Sequence, residues 1–206
     1  MTDAKDGRMK KSERVKSITS ALERRSIVFV GMMGCGKSAI GRLTAAELGL
    51  PYYDSDVEIS AAADMTIPEI FERFGEDYFR KGEERVISRL LAEGPSVLSL
   101  GGGAFMSEST REVIAGNAVS VWLKADIDLL MSRVMRRPGT RPLLATGNPR
   151  ATLAELTEKR SPVYALADLQ VESSRTSKKQ TCDNVLKGLE TWLAEHPGDK
   201  KLAKVK

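Results

Sequence analysis

Short apolar runs alternate along the chain with longer segments in which apolar residues recur every three or four positions. The runs are rich in Val, Ile, Leu or Tyr and are bounded by Gly, Pro or polar residues, which predicts β-strands over 26–30, 52–54, 96–100, 118–124 and 169–172. The longer segments predict helices over 37–48, 67–74, 77–92, 108–115, 127–136, 151–167 and 182–194. This alternation favours an α/β fold, a parallel sheet with helices on both faces, in which ligands bind at the carboxyl ends of the strands.

The ends of the chain differ from its middle in charge. Of 206 residues, 41% are apolar and 29% are charged, which is typical of one globular domain. The net charge of +4 comes from the ends, since 1–25 carry eight Lys/Arg against four Asp/Glu, and 195–206 carry four Lys against two acids. Neither end shows apolar periodicity, so we expect disordered basic tails over 1–25 and 195–206, around a folded domain over 26–194.

The composition also suggests where the protein works. No apolar run is long enough to span a bilayer, and the N-terminus lacks the apolar region of a secretory signal. The two cysteines, Cys35 and Cys182, would form at most one pair, and Cys35 lies in a glycine-rich loop where a disulfide would be awkward. We therefore expect a reduced, cytoplasmic protein. We further expect a monomer that binds neither nucleic acid nor membrane.

A glycine-rich segment, GMMGCGKS over 31–38, lies between the first predicted strand and the first predicted helix. It matches the phosphate-binding loop pattern Gly-x4-Gly-Lys-Ser, in which backbone N–H groups and a helix N-terminus surround a phosphate. Lys37 would reach the β- and γ-phosphates of a nucleoside triphosphate, and the hydroxyl of Ser38 would bind Mg²⁺. A glycine-rich turn with an unrelated lysine is the alternative, which the strand–loop–helix context disfavours.

Two aspartates, Asp54 and Asp56, close the second predicted strand. Two residues apart on an extended chain, their side chains would face the same way. One carboxylate would then hold a water on Mg²⁺, and the other would meet a hydroxyl of the substrate. The start of a helix, with Ser55 or Asp56 as N-cap, explains the same residues equally well.

Three further stretches carry candidate binding groups. Arg80 and Glu83 lie three apart on a predicted helix, where the arginine would grip a carboxylate as a bidentate fork and the glutamate would orient it; a surface ion pair is the simpler alternative. The third strand ends in glycines that would let a ligand approach the backbone, namely Gly101, Gly102 and Gly103. The loop 136–149 is either a lid that brings Arg141 to the phosphates or a long solvated connection.

Absent motifs narrow the class of enzyme. The chain has no Asn-Lys-x-Asp motif of guanine-nucleotide switches, and the run 96–100 ends in glycines rather than in the acid typical of ATP-driven motors. Its one histidine, His196, excludes a Ser-His-Asp triad and a histidine metal site. Base chemistry would therefore fall to a carboxylate.

Taken together, these stretches resemble the shikimate kinase family over roughly 27–194. The motifs that carry the resemblance are GMMGCGKSAIGR, DSDVEI, IPEIFERFGEDYFRKGEE, LSLGGGA, RPLL and KRSPVY. Their order and spacing are far more specific than the phosphate loop alone. The resemblance implies a five-stranded parallel sheet of order 2-3-1-4-5 in three layers, with a lid. It also implies transfer of phosphate from ATP to the 3-hydroxyl of shikimate, with Mg²⁺, in aromatic amino-acid biosynthesis.

The resemblance also implies roles for particular residues. Nucleotide and metal contacts would come from the phosphate loop, the strand-2 aspartate and three arginines: Gly34, Cys35, Gly36, Lys37, Ser38, Ala39, Asp54, Arg133, Arg141 and Arg175. Shikimate contacts would come from Asp56, which is also the expected base, and from Arg80, Glu83, Gly101, Gly102, Gly103, Arg160, Phe71 and Phe79. Ala39 departs from the family's usual threonine, and Arg136 and Arg137 compete with Arg133 for the adenine-stacking position.

Two rival functions remain at this point. Another small-molecule kinase of the same fold, such as a gluconate kinase, would also phosphorylate a hydroxy acid. A nucleotide-dependent regulatory module that no longer transfers phosphate would keep the loop but lose the catalytic acid. The presence of Arg80, Arg160 and the triple glycine favours shikimate, and the presence of Asp54, Asp56 and Arg141 favours an active enzyme.

Overall fold

Five parallel strands form the centre of the molecule in a computed structural model that describes residues 2–136, 148–173 and 177–197, with side chains from residue 12 onward. The strands are β1 Ser26–Val30, β2 Tyr52–Asp54, β3 Val97–Ser99, β4 Ala118–Lys124 and β5 Leu169–Glu172. They pair in the order β2-β3-β1-β4-β5. The sheet order and parallel pairing implied by the family resemblance are therefore confirmed.

Helices cover both faces of this sheet. They are α1 Thr2–Leu22, α2 Lys37–Leu48, α3 Ser55–Ala63, α4 Ile67–Ala92, α5 Glu108–Asn117, α6 Ile127–Val134, α7 Pro149–Tyr164 and α8 Lys178–Glu195. The connection from β1 to β2 runs one way across the sheet, and each later connection runs the other way. Because such crossovers are right-handed, α2 lies on one face, where it contacts α8, and the helices between β2 and β5 lie on the other.

Helices α3 and α4 differ in outline from the sequence prediction. The two helices expected over 67–74 and 77–92 form the single element α4, which is kinked at Gly75, where φ is 79°. That left-handed conformation suits glycine, which explains the break between the two predicted segments. Helix α3 corresponds to the alternative interpretation of the aspartate pair, the start of a helix. Its N-cap is Asp54 rather than Ser55 or Asp56.

The expected disorder of residues 1–25 is wrong for most of that segment, because helix α1 spans Thr2–Leu22. Ile18 and Leu22 are fully buried in the core. The helix packs on α8, where Arg14 also forms an ion pair of 2.8 Å with Glu190. Burial of the apolar side of this helix therefore outweighs the disorder that its basic composition favours. Of the expected C-terminal tail, residues 198–206 lie outside the described residues.

The packing of α1 predicts that its end stabilises the domain. We expect Ile18→Ala to lower the free energy of unfolding by about 2–5 kcal/mol, as for other buried isoleucines truncated to alanine. The neighbouring exposed Lys16 is a matched control, and Lys16→Ala should change stability by no more than about 0.5 kcal/mol. Urea unfolding of both variants measures the difference. Equal unfolding midpoints for the two variants would show that the packing of α1 does not stabilise the domain.

The strand register brings the candidate chemistry to one edge of the sheet. Asp54 is level with Ser99 on β3, and Ser99 is level with Phe29 on β1. The phosphate loop follows β1, the triple glycine follows β3, and the aspartates follow β2, so all three lie at the carboxyl edge of the sheet. Within the described residues, no helix is both long enough and apolar enough to cross a membrane.

Candidate active site

The loop between β1 and α2 is bent into a compact turn by its glycines. Gly31 has φ of 133°, and a Cβ there would lie 2.6 Å from the backbone oxygen of Leu123 on β4. Gly36 has φ of 109° and is the N-cap of α2, so the chain enters the helix from the left-handed region. Both positions therefore require glycine, and the loop ends at a helix N-terminus, where an anion is stabilised.

Lys37 is anchored within this loop. Its Nζ donates to the carbonyl oxygens of Gly31, at 2.7 Å, and Met32, at 3.1 Å. The side chain of Lys37 therefore folds back over the loop. The residue also lines the cleft at the carboxyl edge of the sheet. Cys35 is fully buried, and its thiol lies 3.9 Å from the Lys37 ammonium, so its side chain fills space beneath the loop.

Ser38 and Asp54 meet across the cleft. The hydroxyl of Ser38 donates to Oδ2 of Asp54 at 2.9 Å, although the two residues are 16 apart in the sequence. The hydroxyl of Tyr52 donates to the same oxygen at 3.3 Å. A hydroxyl and a carboxylate are the oxygen ligands that Mg²⁺ prefers, so the pair predicted as metal-binding is brought together.

Asp56 lies in the first turn of α3, so the expectation that the two aspartates follow each other on an extended chain is wrong. Asp54 accepts from the backbone N–H of Asp56 at 3.3 Å and caps the helix, which is why the chain turns there. Both carboxylates nevertheless line the same cleft. The two interpretations of the sequence are therefore compatible, since the helix start itself positions the pair.

The carboxylate of Asp56 lies against the triple glycine. A Cβ on Gly101 would lie 2.5 Å from Oδ1 of Asp56, so a larger residue would displace the carboxylate. The N–H of Gly101 donates to the hydroxyl of Ser55 at 2.9 Å, which fixes the glycine segment on α3. The pKa of Asp56 is raised above its ordinary value by desolvation from the surrounding protein, although the residue is exposed at the cleft, and by the charge of Asp54; the charges of Lys37 and Arg80 oppose the rise. The group thus sits between one anion and two cations.

Arg80 and Glu83 form the ion pair expected from their spacing, and it is not a surface pair. The two side chains meet at 2.5 Å, and Glu83 is only 2% exposed. The guanidinium also contacts Glu76 at 3.2 Å and lies so close to Gly103 that a Cβ there would be 2.6 Å from Nη2. Arg80 therefore borders the triple glycine, held from below by a buried carboxylate.

Burial also makes Glu83 a source of pH dependence. It raises the pKa of Glu83 to about 7 from an ordinary value of 4.5, and the charge of Arg80 opposes a larger rise. Between these two values the folded protein binds more protons than the unfolded chain, so stability falls as pH rises from about 4.5 to 7. Glu83→Gln should remove this part of the slope. Melting temperatures of the wild type and of Glu83→Gln, measured between pH 4.5 and 7, give this slope. Parallel curves for the two proteins would contradict a raised pKa of Glu83.

Arg160 reaches the same segment from α7. Its Nη1 donates to the carbonyl oxygen of Gly102 at 3.2 Å. The guanidinium of Arg80 lies at the next residue, Gly103. The hydroxyl of Tyr164 also donates to the oxygen of Gly102, at 2.5 Å. Two arginines therefore flank adjacent glycines and form a cationic corner beside Asp56, which suits a small carboxylate ligand.

The phosphate loop, the two aspartates and the start of the glycine segment border a continuous cleft of about 460 Å³ above the carboxyl edge of the sheet. Arg80 and Arg160 are not among its lining residues and lie behind Gly103 and Gly102. The lining of the cleft combines phosphate-loop residues, both aspartates, the glycine segment and the ends of α6 and α8: Met33, Gly34, Gly36, Lys37, Ser38, Ala39, Ile40, Asp54, Asp56, Leu100, Gly101, Gly102, Arg133, Arg136, Ser173, Lys178 and Thr181. A nucleotide at the loop and a small acid at the glycines would thus occupy neighbouring parts of one site.

Arg133 supports the phosphate loop from the side. Its Nη1 donates to the carbonyl oxygens of Gly34, at 3.2 Å, and Cys35, at 2.9 Å, and to the hydroxyl of Ser173 at 3.0 Å. Ser173 itself donates to the oxygen of Cys35 at 2.6 Å. The arginine expected to stack on adenine thus lines the cleft beside the phosphate loop, where it binds the loop backbone, and its role toward adenine stays a prediction.

Some expected site residues lie elsewhere. Phe71 and Phe79 stack on each other with ring centroids 4.6 Å apart, but neither lines the cleft, and Phe79 instead borders an apolar groove between α3 and α4. Arg80 lies over the Phe79 ring at 5.0 Å, so this aromatic pair supports the arginine. Arg141 and Arg175 lie outside the described residues.

Several cleft residues have no role assigned from the sequence, although the family resemblance implies that the segment 173–179 covers the adenine. Ser173 directly follows β5, and its position at the carboxyl end of a strand is a signal that predicts a site residue. Lys178 and Thr181 lie in the first turns of α8 and border the cleft beside the phosphate loop. No spacing in the sequence relates α8 to a loop some 140 residues earlier, so the particular residues of α8 that line the cleft follow only from the fold.

Comparisons with known proteins agree with this geometry. The model of the family described as Shikimate kinase matches residues 33–190. Among curated proteins, the shikimate kinase of Bradyrhizobium diazoefficiens is 54% identical over 187 residues, covering 88% of this chain and 90% of that protein. The shikimate kinase of Bartonella quintana is 46% identical over 185 residues, covering 90% and 88%.

Solved structures give the same result. Shikimate kinase from Acinetobacter baumannii, solved in complex with shikimate, superposes with a TM-score of 0.76 at 35% identity, covering 82% of this chain and 94% of that one. A gluconokinase from Sinorhizobium meliloti, at 18% identity and a TM-score of 0.55, covers 88% and 98% and shares the fold alone. From the family match and the identity of its relatives over most of their length, this chain belongs to the shikimate kinase family.

Proposed function

We propose that this kinase transfers the γ-phosphoryl group of ATP to the 3-hydroxyl of shikimate, with Mg²⁺, in the biosynthesis of chorismate and aromatic amino acids. The observation that carries the proposal is the corner formed by Arg80 and Arg160 on adjacent glycines, beside Asp56 and next to the phosphate loop. A carboxylate held by both arginines would place a ring hydroxyl of the same molecule near Asp56. This division of labour uses binding at one end of a small acid to orient the other.

The residues of the chain divide the reaction between them. The loop N–H groups and Lys37 bind the phosphates, which requires Lys37 to leave the carbonyls of Gly31 and Met32. Asp56 accepts a hydrogen bond from the attacking hydroxyl and takes its proton as the new O–P bond forms and the bond to ADP breaks. Arg141 remains a predicted lid residue, and Arg133 and Arg175 remain predicted neighbours of the adenine.

The metal site fits the residues present. Ser38 and Asp54 offer a hydroxyl and a carboxylate 2.9 Å apart at the phosphate loop. In the described part of the chain, no group of three or more His, Cys, Asp or Glu residues is placed to hold a metal ion. This composition suits Mg²⁺, which is usually held by one or two protein oxygens together with phosphates and water. When bound, the ion would neutralise charge on the transferring phosphoryl group.

An ADP-release assay with matched acceptors tests the proposal. ATP and Mg²⁺ are held constant, and shikimate, gluconate or no acceptor is added. Of the three conditions, we expect rapid ADP release only when shikimate is the acceptor. EDTA, which removes the metal, should abolish this release. Equal rates with gluconate would indicate a different small-molecule kinase, and no release with any acceptor would indicate a regulatory module.

A further inference from the structure

The carbonyl oxygen of Gly102 is bound by two side chains of α7. The hydroxyl of Tyr164 donates to it at 2.5 Å, and Nη1 of Arg160 donates at 3.2 Å. The two donors are four residues apart, so they project from the same face of the helix. Helix α7 is therefore attached to the triple glycine through one backbone oxygen.

The position of the Tyr164 hydroxyl is set by the packing of its ring. Tyr164 is 1% exposed, and its ring packs on Phe105, with centroids 6.5 Å apart, and on Trp122, at 6.0 Å. Burial raises the pKa of Tyr164 to about 12, so the hydroxyl stays protonated and remains a donor at neutral pH. The ring has little freedom to turn, so the oxygen of Gly102 has a fixed partner.

Arg160, in contrast, would have two binding partners. It donates to the carbonyl oxygen of Gly102, and under the proposed function its guanidinium also binds the carboxylate of shikimate, so the two partners compete for it. If the bond to Gly102 is given up, the part-buried carbonyl of Gly102 loses one protein donor, and loss of that hydrogen bond costs free energy. The bond from Tyr164 satisfies the carbonyl in either state, so Arg160 is available to the acceptor.

We propose that Tyr164 is a positioning residue for the acceptor site, because it holds the carbonyl of Gly102 and leaves Arg160 available to the shikimate carboxylate. This inference rests on the proposed function. Tyr164 is not among the residues that line the cleft. Its influence passes through the glycine segment and Arg160, so it should affect binding of the acceptor and not of the nucleotide.

Calorimetry on Tyr164→Phe tests the proposal. We expect the dissociation constant for shikimate to rise about tenfold, since one buried hydrogen bond is lost, while the constant for ADP changes less than about twofold. KM for shikimate should rise more than kcat falls. Tyr78→Phe is the matched control, because that tyrosine is half exposed on α4 and its ring packs at a tilt against Phe74; it should leave the binding of both ligands unaffected.

A double-mutant cycle separates positioning from general destabilisation. In an Arg160→Lys background, Tyr164→Phe should weaken shikimate binding less than it does in the wild type, because the two side chains share one acceptor. Equal effects in both backgrounds would contradict the proposed route. If Tyr164→Phe fails to fold, 4-aminophenylalanine at position 164 retains an N–H donor and should keep the shikimate dissociation constant within about threefold of the wild type. A larger loss would overturn the proposal.

The failure of this proposal is distinguishable from failure of the proposed function. If the wild type binds shikimate and Tyr164→Phe binds it equally well, Tyr164 is a packing residue and the proposed function stands. If the wild type binds no shikimate, the proposed function itself is wrong, and the Tyr164 proposal falls with it.

Discussion

Asp56→Asn should lose about 10²–10⁴-fold in kcat while the protein still binds ATP. Asparagine has the size of aspartate but does not accept the proton of the attacking hydroxyl, and general-base assistance is typically of this magnitude. Asp56 suits the proposed task because its carboxylate lies against Gly101 and lines the cleft that the phosphate loop also borders. Single-turnover phosphoryl transfer, with nucleotide affinity measured separately by calorimetry, gives the comparison.

The alternative role for Asp56 is a favourable charge in the first turn of α3. That role predicts a loss of about 0.3–1 kcal/mol of stability and unchanged turnover. Asp64→Asn at the exposed C-terminal end of the same helix is the control for a generic loss of charge, and it should leave turnover intact. Near-normal turnover in a folded Asp56→Asn protein would remove Asp56 from the mechanism.

Arg80→Met should weaken shikimate binding by roughly tenfold to a hundredfold or more. The loss of charged hydrogen bonds in a closed site costs on the order of 1.5–3 kcal/mol, and the variant leaves the acceptor carboxylate facing an apolar stub. Arg80→Lys should fall between, since it keeps the charge and loses the planar fork. ATP affinity without shikimate should barely change, because the contacts of Arg80 are with Glu76, Glu83 and the glycine segment.

A matched control lies on the same helix. Arg85 is exposed and donates to the backbone oxygen of Lys81, one turn away, so Arg85→Met makes the same chemical change away from the cleft. If Arg80 were only a structural partner of Glu83, Arg80→Met would lower the melting temperature and leave shikimate affinity at the level of the Arg85 variant. Titration of shikimate into the wild type, Arg80→Met and Arg85→Met separates these outcomes.

Features encoded by neighbouring residues could be predicted from the sequence. The phosphate loop, the aspartates and the triple glycine each follow an apolar strand, and the parallel fold brings strand ends together. The prediction that 1–25 lack apolar periodicity was wrong, because Val15, Ile18 and Leu22 have helical spacing among the surrounding basic residues. The stability of helix α1 comes from the partner surface of α8, which has no signature within residues 1–25.

Features that depend on distant contacts could not be predicted in the same way. The burial of Glu83 turns a surface-type ion pair into a support for Arg80, and only packing of the whole domain determines that burial. The bonds from Arg133 and Ser173 to the phosphate loop span about 100 residues or more. Motifs thus locate the chemistry of the site, whereas the residues that hold it in place emerge from tertiary structure.

The most direct test of the central claim is identification of the product by phosphorus NMR and mass spectrometry. The full-length protein is incubated with ATP, Mg²⁺ and shikimate, and the phosphate signals are followed over time. We expect ADP and a single phosphate ester on the 3-hydroxyl of shikimate to appear in equal amounts. ADP accompanied by free phosphate and unmodified shikimate, or an ester at another hydroxyl, would contradict the assignment of shikimate and its orientation in this site.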